Sequence, residues 1–194
     1  MHTAAGYANL AEETGDTGAF EHVHSAHDQM ATMIEQLLAL SRREFGAEPL
    51  EVIDFPARVR ETWGTLQLSG VELVLDVPPD TKVRSDRTAL HHVLSNLFEN
   101  TAAHNEPPLT VAVGLIADDG VPEGFYVEDD GTGIAVETTN TVFEHGYTTD
   151  STGNGLGLSI VREYAEDLGW TVRVTESESG GARFEFRDVE FDLG

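Results

Sequence analysis

The spacing of hydrophobic positions changes from a helical period to strand-like alternation near residue 46. Between residues 18 and 45 the apolar positions recur at intervals of three and four, which predicts an amphipathic helix with a heptad seam. This seam comprises Phe20, Val23, His27, Met30, Ile34, Leu37 and Ser41, widened by Leu38 and Leu40. Residues 1–14 are rich in alanine and predict a preceding helix. We therefore predict a helical hairpin over residues 1–45, with a single amphipathic helix on a globular domain as the alternative.

Beyond a break at residues 46–49, strands and helices are predicted in mixed order. Alternating apolar positions predict strands over 50–55, 71–77, 82–85, 109–117, 124–129, 170–175 and 182–186. Helical patterns cover 56–68, 86–104 and 158–168, whereas 130–157 is rich in Gly and Thr and predicts a loop. This order favours an α+β fold over residues 50–190: a two-layer α/β sandwich with one mixed sheet and helices on one face.

The charge of the chain changes the range of partners to be expected. Its 194 residues include 35 Asp and Glu against 11 Lys and Arg, a formal net charge of -24, and Lys82 is the only lysine. Such a surface repels nucleic acid, so we expect no nucleic-acid partner. The near-absence of lysine favours adaptation to high salt, as in a halophilic archaeon, where screening removes the self-repulsion. An ordinary acidic cytosolic protein is the alternative.

Two further features of composition exclude whole classes of chemistry. The absence of Cys excludes disulfides, a thiol nucleophile and cysteine-ligated zinc. No apolar run approaches the roughly 18 residues that cross a bilayer, and no signal-peptide pattern is present, so we expect a soluble chain.

A pair of asparagines stands out on the predicted helix 86–104. Asn96 and Asn100 are four residues apart, so their carboxamides share one face of the helix while Leu97 and Phe98 face the core. Two carboxamide oxygens on one stripe suit a hard cation that keeps bound water, such as Mg²⁺. Taken alone, the pair is more typical of two surface amides.

Two glycine-rich clusters follow the asparagine pair. The first, residues 129–134, reads Asp-Asp-Gly-Thr-Gly-Ile and comes directly after a predicted strand, where its glycines allow the backbone to approach a flat ligand. The second, residues 153–158, has glycine at alternate positions before a helix, where free amides and the helix dipole favour an anion. It is not the dinucleotide fingerprint, because its third glycine comes too early and no strand directly precedes it.

In this order the three clusters resemble the N, G1 and G2 boxes of the ATP-binding domain of sensor histidine kinases, relatives of the gyrase-, Hsp90- and MutL-type ATPases. The resemblance covers about residues 50–188. Residues 142–144 are similar to the F box, and residues 181–184 to the last, weaker glycine box. The resemblance implies a Bergerat-type ATP-binding fold and a histidine protein kinase that relays phosphate to a response regulator in two-component signalling.

The resemblance also implies a role for each motif residue. Asn100 would ligate Mg²⁺ and Asn96 would support it, so both would serve catalysis. Asp129 would accept a hydrogen bond from the adenine amino group, with Gly131 and Gly133 admitting the base. Ile134 would pack near the adenine. A mobile lid over residues 145–155 would cover ATP, whose phosphates would be bound by Thr152, Gly153, Gly155, Leu156, Gly157 and Leu158.

The N-terminal segment completes the resemblance but departs from it at one point. Residues 18–45 resemble the second helix of the dimerisation and phosphoacceptor domain, which implies a homodimer, a receiver-domain partner and a cytoplasmic location, with any membrane anchor upstream. In these kinases, which are phosphoproteins, the acceptor histidine is followed by an acidic residue and, a few residues later, by a proline. Of the eight histidines only His27 begins this motif, but the next proline is Pro49. We therefore expect no acceptor histidine in this chain.

Three positions bear on which activity the resemblance predicts. In the family a basic residue is common three positions after the second asparagine, where this chain has Ala103. The F box commonly carries an arginine where this chain has His145. Both changes weaken phosphate contact. A nucleotide-binding pseudokinase or regulatory module therefore stays open, as does a pure dimerisation module. The related ATPases carry a water-activating Glu where Asn96 stands, and because an amide cannot take a proton, phosphotransfer is favoured over hydrolysis.

Overall fold

The computed structural model of the chain describes residues 49–135, 141–143 and 157–192. The predicted hairpin over residues 1–45 and most of the predicted loop over 130–157 lie outside these residues. Among the helices that the described residues form, none combines the length and the apolar character needed to span a membrane.

The described residues form three helices and eight strands. The helices are α1 (Phe55–Leu66), α2 (Arg87–His104) and α3 (Gly157–Asp167). The strands are β1 (Glu51–Asp54), β2 (Val71–Asp76), β3 (Lys82–Ser85), β4 (Leu109–Asp118), β5 (Val121–Asp129), β6 (Thr171–Glu176), β7 (Ala182–Arg187) and β8 (Phe191–Asp192).

Aspartate caps determine where the first two helices begin. The Asp54 carboxylate accepts from the backbone N–H of Ala57 at 2.9 Å, and Asp86 accepts from Thr88 and Ala89 at 2.7 and 2.9 Å. Such caps satisfy backbone N–H groups that have no partner inside the helix. Because Asp54 is the last residue of β1 and Asp86 directly follows β3, β1 runs into α1 and β3 into α2 with almost no connecting loop.

Strand β5 begins three residues earlier than its sequence pattern predicts. Asp119 and Gly120 both have positive φ, 47° and 81°, and they join Asp118 directly to Val121 in a two-residue turn. An Asp-Gly pair of this kind matches the twist of a β-hairpin, so the pairing of β4 with β5 extends to the turn. The alternation pattern missed this end because Pro122 and Glu123 interrupt it.

The predicted mixed sheet is present, and a second sheet accompanies it. Five strands pair in the order β2-β4-β5-β7-β6, with β2 and β4 parallel and the other neighbours antiparallel. Strands β1, β3 and β8 form a separate antiparallel sheet that the sequence pattern did not distinguish. Strand β8 was not predicted at all, since two residues are too few to show alternation.

The core lies between the helices and one face of the five-stranded sheet. Phe125 of β5 stacks on Phe186 of β7 with 4.6 Å between ring centroids, and Phe55 of α1 lies 5.0 Å from Phe125. The fully buried side chains of α2 are Leu90, Val93, Leu94, Leu97 and Phe98. Burial of each such side chain stabilises the fold by about 1.5–3 kcal/mol. This packing fixes the polar face of α2 relative to the ends of the strands.

Candidate functional site

The two asparagines of α2 form a polar stripe at the edge of the core, as their spacing predicts. Asn96 Nδ2 donates to the backbone carbonyl of His92 at 2.8 Å, and within the described residues no hydrogen bond to its Oδ1 is present. Asn100, one turn further along, has a buried Nδ2 with no hydrogen-bond partner among the described residues. A buried amide without a partner costs about 1–3 kcal/mol, so the stripe has unused capacity for a ligand.

Gly157, the first residue of α3, faces this stripe. A Cβ placed at Gly157 would lie 3.1 Å from both amide atoms of Asn100 and 3.4 Å from Asn96 Oδ1. Such contacts are tighter than most real Cβ contacts, so the close approach of α3 to α2 depends on a glycine here. The structure thus brings the asparagine pair together with the end of the second glycine cluster. Leu158 follows Gly157 and is half-buried.

Asp129 ends strand β5 and is only 5% exposed. Its Oδ1 accepts from the backbone N–H of Gly131 at 3.0 Å and of Ala182 at 3.1 Å, and its Oδ2 accepts from Thr101 Oγ1 at 3.3 Å. A buried carboxylate needs such donors to offset its lost hydration. Two oxygens have about four acceptor sites, so Oδ2 keeps capacity for one further donor.

The turn after Asp129 is packed against other parts of the chain. Gly133 has φ of +71°, which favours glycine, and a Cβ there would lie 2.7 Å from the Gly180 carbonyl oxygen. A Cβ at Gly131 would overlap the carboxamide of Asn105. Ile134, the last residue of this cluster, is half-buried. The predicted residues 129, 131, 133 and 134 therefore form one compact turn at the end of β5.

Two residues that contact Asp129 escaped the sequence reasoning. Thr101 directly follows Asn100 on α2, and this adjacency is the only sequence feature that could have indicated its role. Ser177 Oγ donates to the Asp129 backbone carbonyl at 2.8 Å and accepts from the Gly181 N–H at 2.9 Å. A Cβ at Gly181 would collide with Asp129. The weak glycine motif at 181–184 thus belongs to the same site, although 52 residues separate Gly181 from Asp129.

Strand β7 is held in place from the open face of the sheet. Arg183 Nη1 pairs with Glu128 at 2.6 Å, Nε pairs with Glu185 at 3.0 Å, and the guanidinium lies 3.6 Å from the centroid of the Tyr126 ring. Burial lowers the pKa of Arg183, but its hydrogen bonds to Glu128 and Glu185 outweigh this and raise the pKa. The charged arginine thereby ties β7 to β5 next to the Ala182 N–H that contacts Asp129.

The remaining predicted residues divide between the described and the undescribed parts of the chain. Thr152, Gly153, Gly155 and Leu156 lie outside the described residues, as do Glu144 and His145. Phe143 of the predicted F box is buried, and its ring meets that of Phe184 edge-on with 6.4 Å between centroids. The F-box motif is therefore anchored on β7, beside the Asp129 contacts.

The donor set of the stripe fits a metal ion that relies on water and phosphate for most of its ligands. Within the described residues no group of three or more His, Asp or Glu side chains could hold a metal by itself. Mg²⁺ commonly takes one or two protein oxygens and completes its shell with water and substrate phosphates. The carboxamide oxygen of Asn100 is the atom that can serve as such a ligand, whereas its buried Nδ2 can only donate a hydrogen bond. Residues and ion therefore match in chemistry.

Comparison with known families identifies the segment that carries this site. The family model described as histidine kinase-, DNA gyrase B- and HSP90-like ATPase matches residues 85–192, more than half of the chain. The matched segment includes the asparagine pair, Asp129, Gly157 and the glycine motif at 181–184. All the described side chains of the candidate site therefore fall within it.

Curated relatives carry the names of sensor proteins. The swarming motility regulation sensor protein RssA of Serratia marcescens is 32% identical over 161 residues, which are 77% of this chain and 34% of that protein. Sensor protein QseC of Escherichia coli is 29% identical over 173 residues, 84% of this chain and 37% of that protein. The chain thus spans about a third of the length of these curated relatives.

Solved structures share the fold. Full-length ShkA in complex with AMPPNP matches with a TM-score of 0.71 at 25% identity, covering 92% of this chain and 39% of that one. The mycobacterial sensor histidine kinase MprB matches with a TM-score of 0.62 at 24% identity, covering 72% of this chain and 97% of that one. The second match supports the fold alone.

Proposed function

The chain belongs to the family of histidine kinase-, DNA gyrase B- and HSP90-like ATPases, and on that basis we propose that it is the catalytic region of a histidine protein kinase. It binds Mg-ATP and transfers the γ-phosphoryl group to a histidine, from which the phosphate passes to a response regulator aspartate. The names of its relatives RssA and QseC, both sensor proteins, support this choice within the family.

One observation carries the proposal: the buried Asp129 carboxylate, with spare acceptor capacity, is hydrogen-bonded to Thr101, the residue next to Asn100, whose buried amide nitrogen has no partner among the described residues. Asp129 Oδ2 keeps an unused acceptor site, which suits the amino group of adenine. The Asn100 amide, with its unpartnered Nδ2, suits the phosphate end. In this proposal Gly131, Gly133 and Ile134 line the adenine side, and Asn96, Gly157 and Leu158 line the phosphate side.

The chemistry asked of these residues is positioning and charge stabilisation. Phosphoryl transfer needs little covalent help from a protein, so catalysis depends on aligning donor and acceptor. When bound at Asn100, Mg²⁺ supplies neutralisation of the phosphate charge. Asn96, whose amide is oriented by the His92 carbonyl, holds phosphate or water and takes no proton, which disfavours water attack and hydrolysis.

The rest of the assembly follows from the kinase proposal. We propose that residues 1–45 belong to the dimerisation domain and residues 50–190 to the ATP-binding domain. The partners are a second copy of the chain and a receiver domain, and the location is cytoplasmic. The low lysine content and the charge of -24 support a halophilic, archaeal source.

Phosphotransfer to a separately added acceptor hairpin from a sensor kinase tests the activity. The chain should bind ATP without labelling itself, because no histidine carries the acceptor motif, and should label the added hairpin with acid-labile phosphate. The hairpin with its acceptor histidine replaced by alanine is the control. ATP binding without any transfer would favour the pseudokinase alternative, and no nucleotide binding would favour a pure dimerisation module.

Adenine selectivity tests the role of Asp129. A carboxylate accepts from the amino group of adenine but repels the oxygen of guanine, so we expect ATP to bind at least about tenfold more tightly than GTP. In Asp129→Asn, Oδ1 can keep both backbone hydrogen bonds while Nδ2 replaces the free acceptor, so this preference should be lost. Asp130→Asn, a neighbouring exposed carboxylate that accepts from the Thr110 N–H, is the matched control. Equal affinity of the wild-type chain for both nucleotides would remove Asp129 from this role.

A further inference from the structure

Asn105 occupies the C-terminal cap of α2 and connects this helix to the turn after Asp129. Its Nδ2 donates to the Thr101 carbonyl at 3.0 Å. Its Oδ1 accepts from the backbone N–H of Thr132 at 2.8 Å and from Thr132 Oγ1 at 3.2 Å. One half-buried carboxamide therefore uses both ends, one on the helix and one on the turn.

The neighbouring Gly131 is shaped around this same side chain. A Cβ at Gly131 would overlap the Cγ, Oδ1 and Nδ2 atoms of Asn105. The φ of Gly131 lies outside the left-handed region, so the backbone itself would accept alanine. The Asn105 side chain is thus the obstacle to a larger residue at position 131.

The two ends of the proposed nucleotide site depend on the same stretch of α2. Asn100 lies on this helix, and the next residue, Thr101, donates its hydroxyl to Asp129 Oδ2. The Thr101 carbonyl in turn holds Asn105, which holds the turn at Thr132. Two parallel links, one through each side chain, therefore join α2 to residues 129–132.

We propose that Asn105 is a positioning residue for nucleotide binding, an inference that rests on the proposed function. Its carboxamide clamps residues 131 and 132 onto α2, which keeps the acceptor oxygen of Asp129 at a fixed separation from Asn100. Asn105 touches no ligand in this account and acts only through the turn. Its loss weakens the adenine side of the site and leaves the phosphate side unchanged.

Binding of ATP and ADP to Asn105→Ala tests the clamp. Since the change acts on the adenine side, the affinities for ATP and ADP should fall by the same factor, about fivefold to tenfold for the lost hydrogen bonds. Glu106→Gln, the exposed next residue, is the control and should bind both nucleotides as the wild type does. An unchanged affinity for both nucleotides in Asn105→Ala, or a loss confined to ATP, would overturn the proposal.

The contact with Gly131 provides a second and sharper test. Gly131→Ala alone should weaken ATP binding strongly, because its methyl group displaces the Asn105 side chain. In the double variant Asn105→Ala/Gly131→Ala the obstacle is gone, so affinity should recover to that of Asn105→Ala. General damage to the fold would not produce this recovery. A double variant that binds no better than Gly131→Ala would overturn the proposal.

Two further measurements keep the outcomes distinct. Asn105→Asp keeps the acceptor for Thr132 and loses only the donor to Thr101, so its affinity for nucleotide should fall less than that of Asn105→Ala. An equal or larger loss of affinity, with an unchanged thermal unfolding midpoint, would contradict the clamp. Thermal unfolding of each variant shows whether a loss of binding follows a loss of folding. A wild-type chain that binds no nucleotide would overturn the proposed function itself, whereas tight wild-type binding with unaffected variants overturns only the role of Asn105.

Discussion

Three glycines of the site each face a polar side chain of the protein at very short range. Gly157 faces Asn100, Gly131 faces Asn105 and Gly181 faces Asp129. The sequence pattern predicted that Gly131 lets the backbone approach a ligand and that Gly157 belongs to a cluster whose free amides face an anion. In the fold, the space beside these three glycines is taken by the side chains that form the site. Glycine at these three positions therefore allows α2, the turn after β5 and the start of β7 to approach one another closely.

Gly157→Ala should weaken Mg-dependent ATP binding with little loss of stability. The added methyl group would press on both amide atoms of Asn100, whereas the first helical position accepts alanine readily. We expect a loss of roughly tenfold in affinity, about 1.4 kcal/mol, measured by calorimetry with and without Mg²⁺.

Gly64→Ala is the matched control for Gly157→Ala. It adds a methyl group that meets nothing within 4 Å, in a helix remote in sequence from the glycine clusters. Unchanged ATP affinity in Gly157→Ala, or equal affinity of the wild type with and without Mg²⁺, would contradict the role given to Asn100.

Among the helices and strands, boundaries that depend on a neighbouring residue, such as a helix cap, could be predicted from the sequence. Boundaries that depend on pairing with a strand far away in the sequence could not. The predicted start of α2, Asp86, is the residue that caps the observed helix, one position before its first residue. The four residues of β3 were predicted as observed. Strand β8 pairs with β3 across about a hundred residues, and no local pattern marks it. Likewise, the spacing of Asn96 and Asn100 predicted their shared face, but nothing local linked Ser177 to Asp129.

Two glycine substitutions in different elements should shift stability in opposite directions. Gly64→Ala lies in α1 with open space around it, so it should stabilise the fold by about 0.5–1 kcal/mol through helix propensity. Gly120→Ala has the same open space but a φ of +81° in the β4–β5 turn, so it should destabilise by about 1–2 kcal/mol. Thermal midpoints of the two variants check this, and a shift in the same direction would show that the backbone argument is wrong.

For the whole molecule, the balance of charge dominates. The arginines of the described residues are largely committed to ion pairs, among them Arg58, Arg84, Arg87, Arg162, Arg173, Arg183 and Arg187. The 35 acidic side chains outnumber the 11 basic ones more than threefold, so most carboxylates have no cation to pair with. Folding brings these negative charges closer together than they are in the unfolded chain, which costs free energy in dilute buffer.

The thermal midpoint should therefore rise as salt is added. At about 1 M salt the screening length falls to roughly 3 Å, which removes most repulsion between surface carboxylates. We expect an increase of roughly 5 °C or more between 0.1 and 2 M KCl, measured by circular dichroism. Sucrose at matched osmolality is the control, because it stabilises by exclusion without screening. A midpoint that falls or stays constant in KCl would contradict adaptation to high salt.

The pairing of β8 with β3 and of Ala182 with Asp129 has a consequence for the growing polypeptide. A ribosome delivers β3 and α2 long before it delivers residues 177–192, which complete both the small sheet and the ring of donors around Asp129. Until those residues emerge, the Asp129 carboxylate lacks the Ala182 N–H, and β5 and β3 each lack one of their two neighbouring strands. The proposed nucleotide site is therefore incomplete until residues 177–192 have emerged, and competence to bind arises only then.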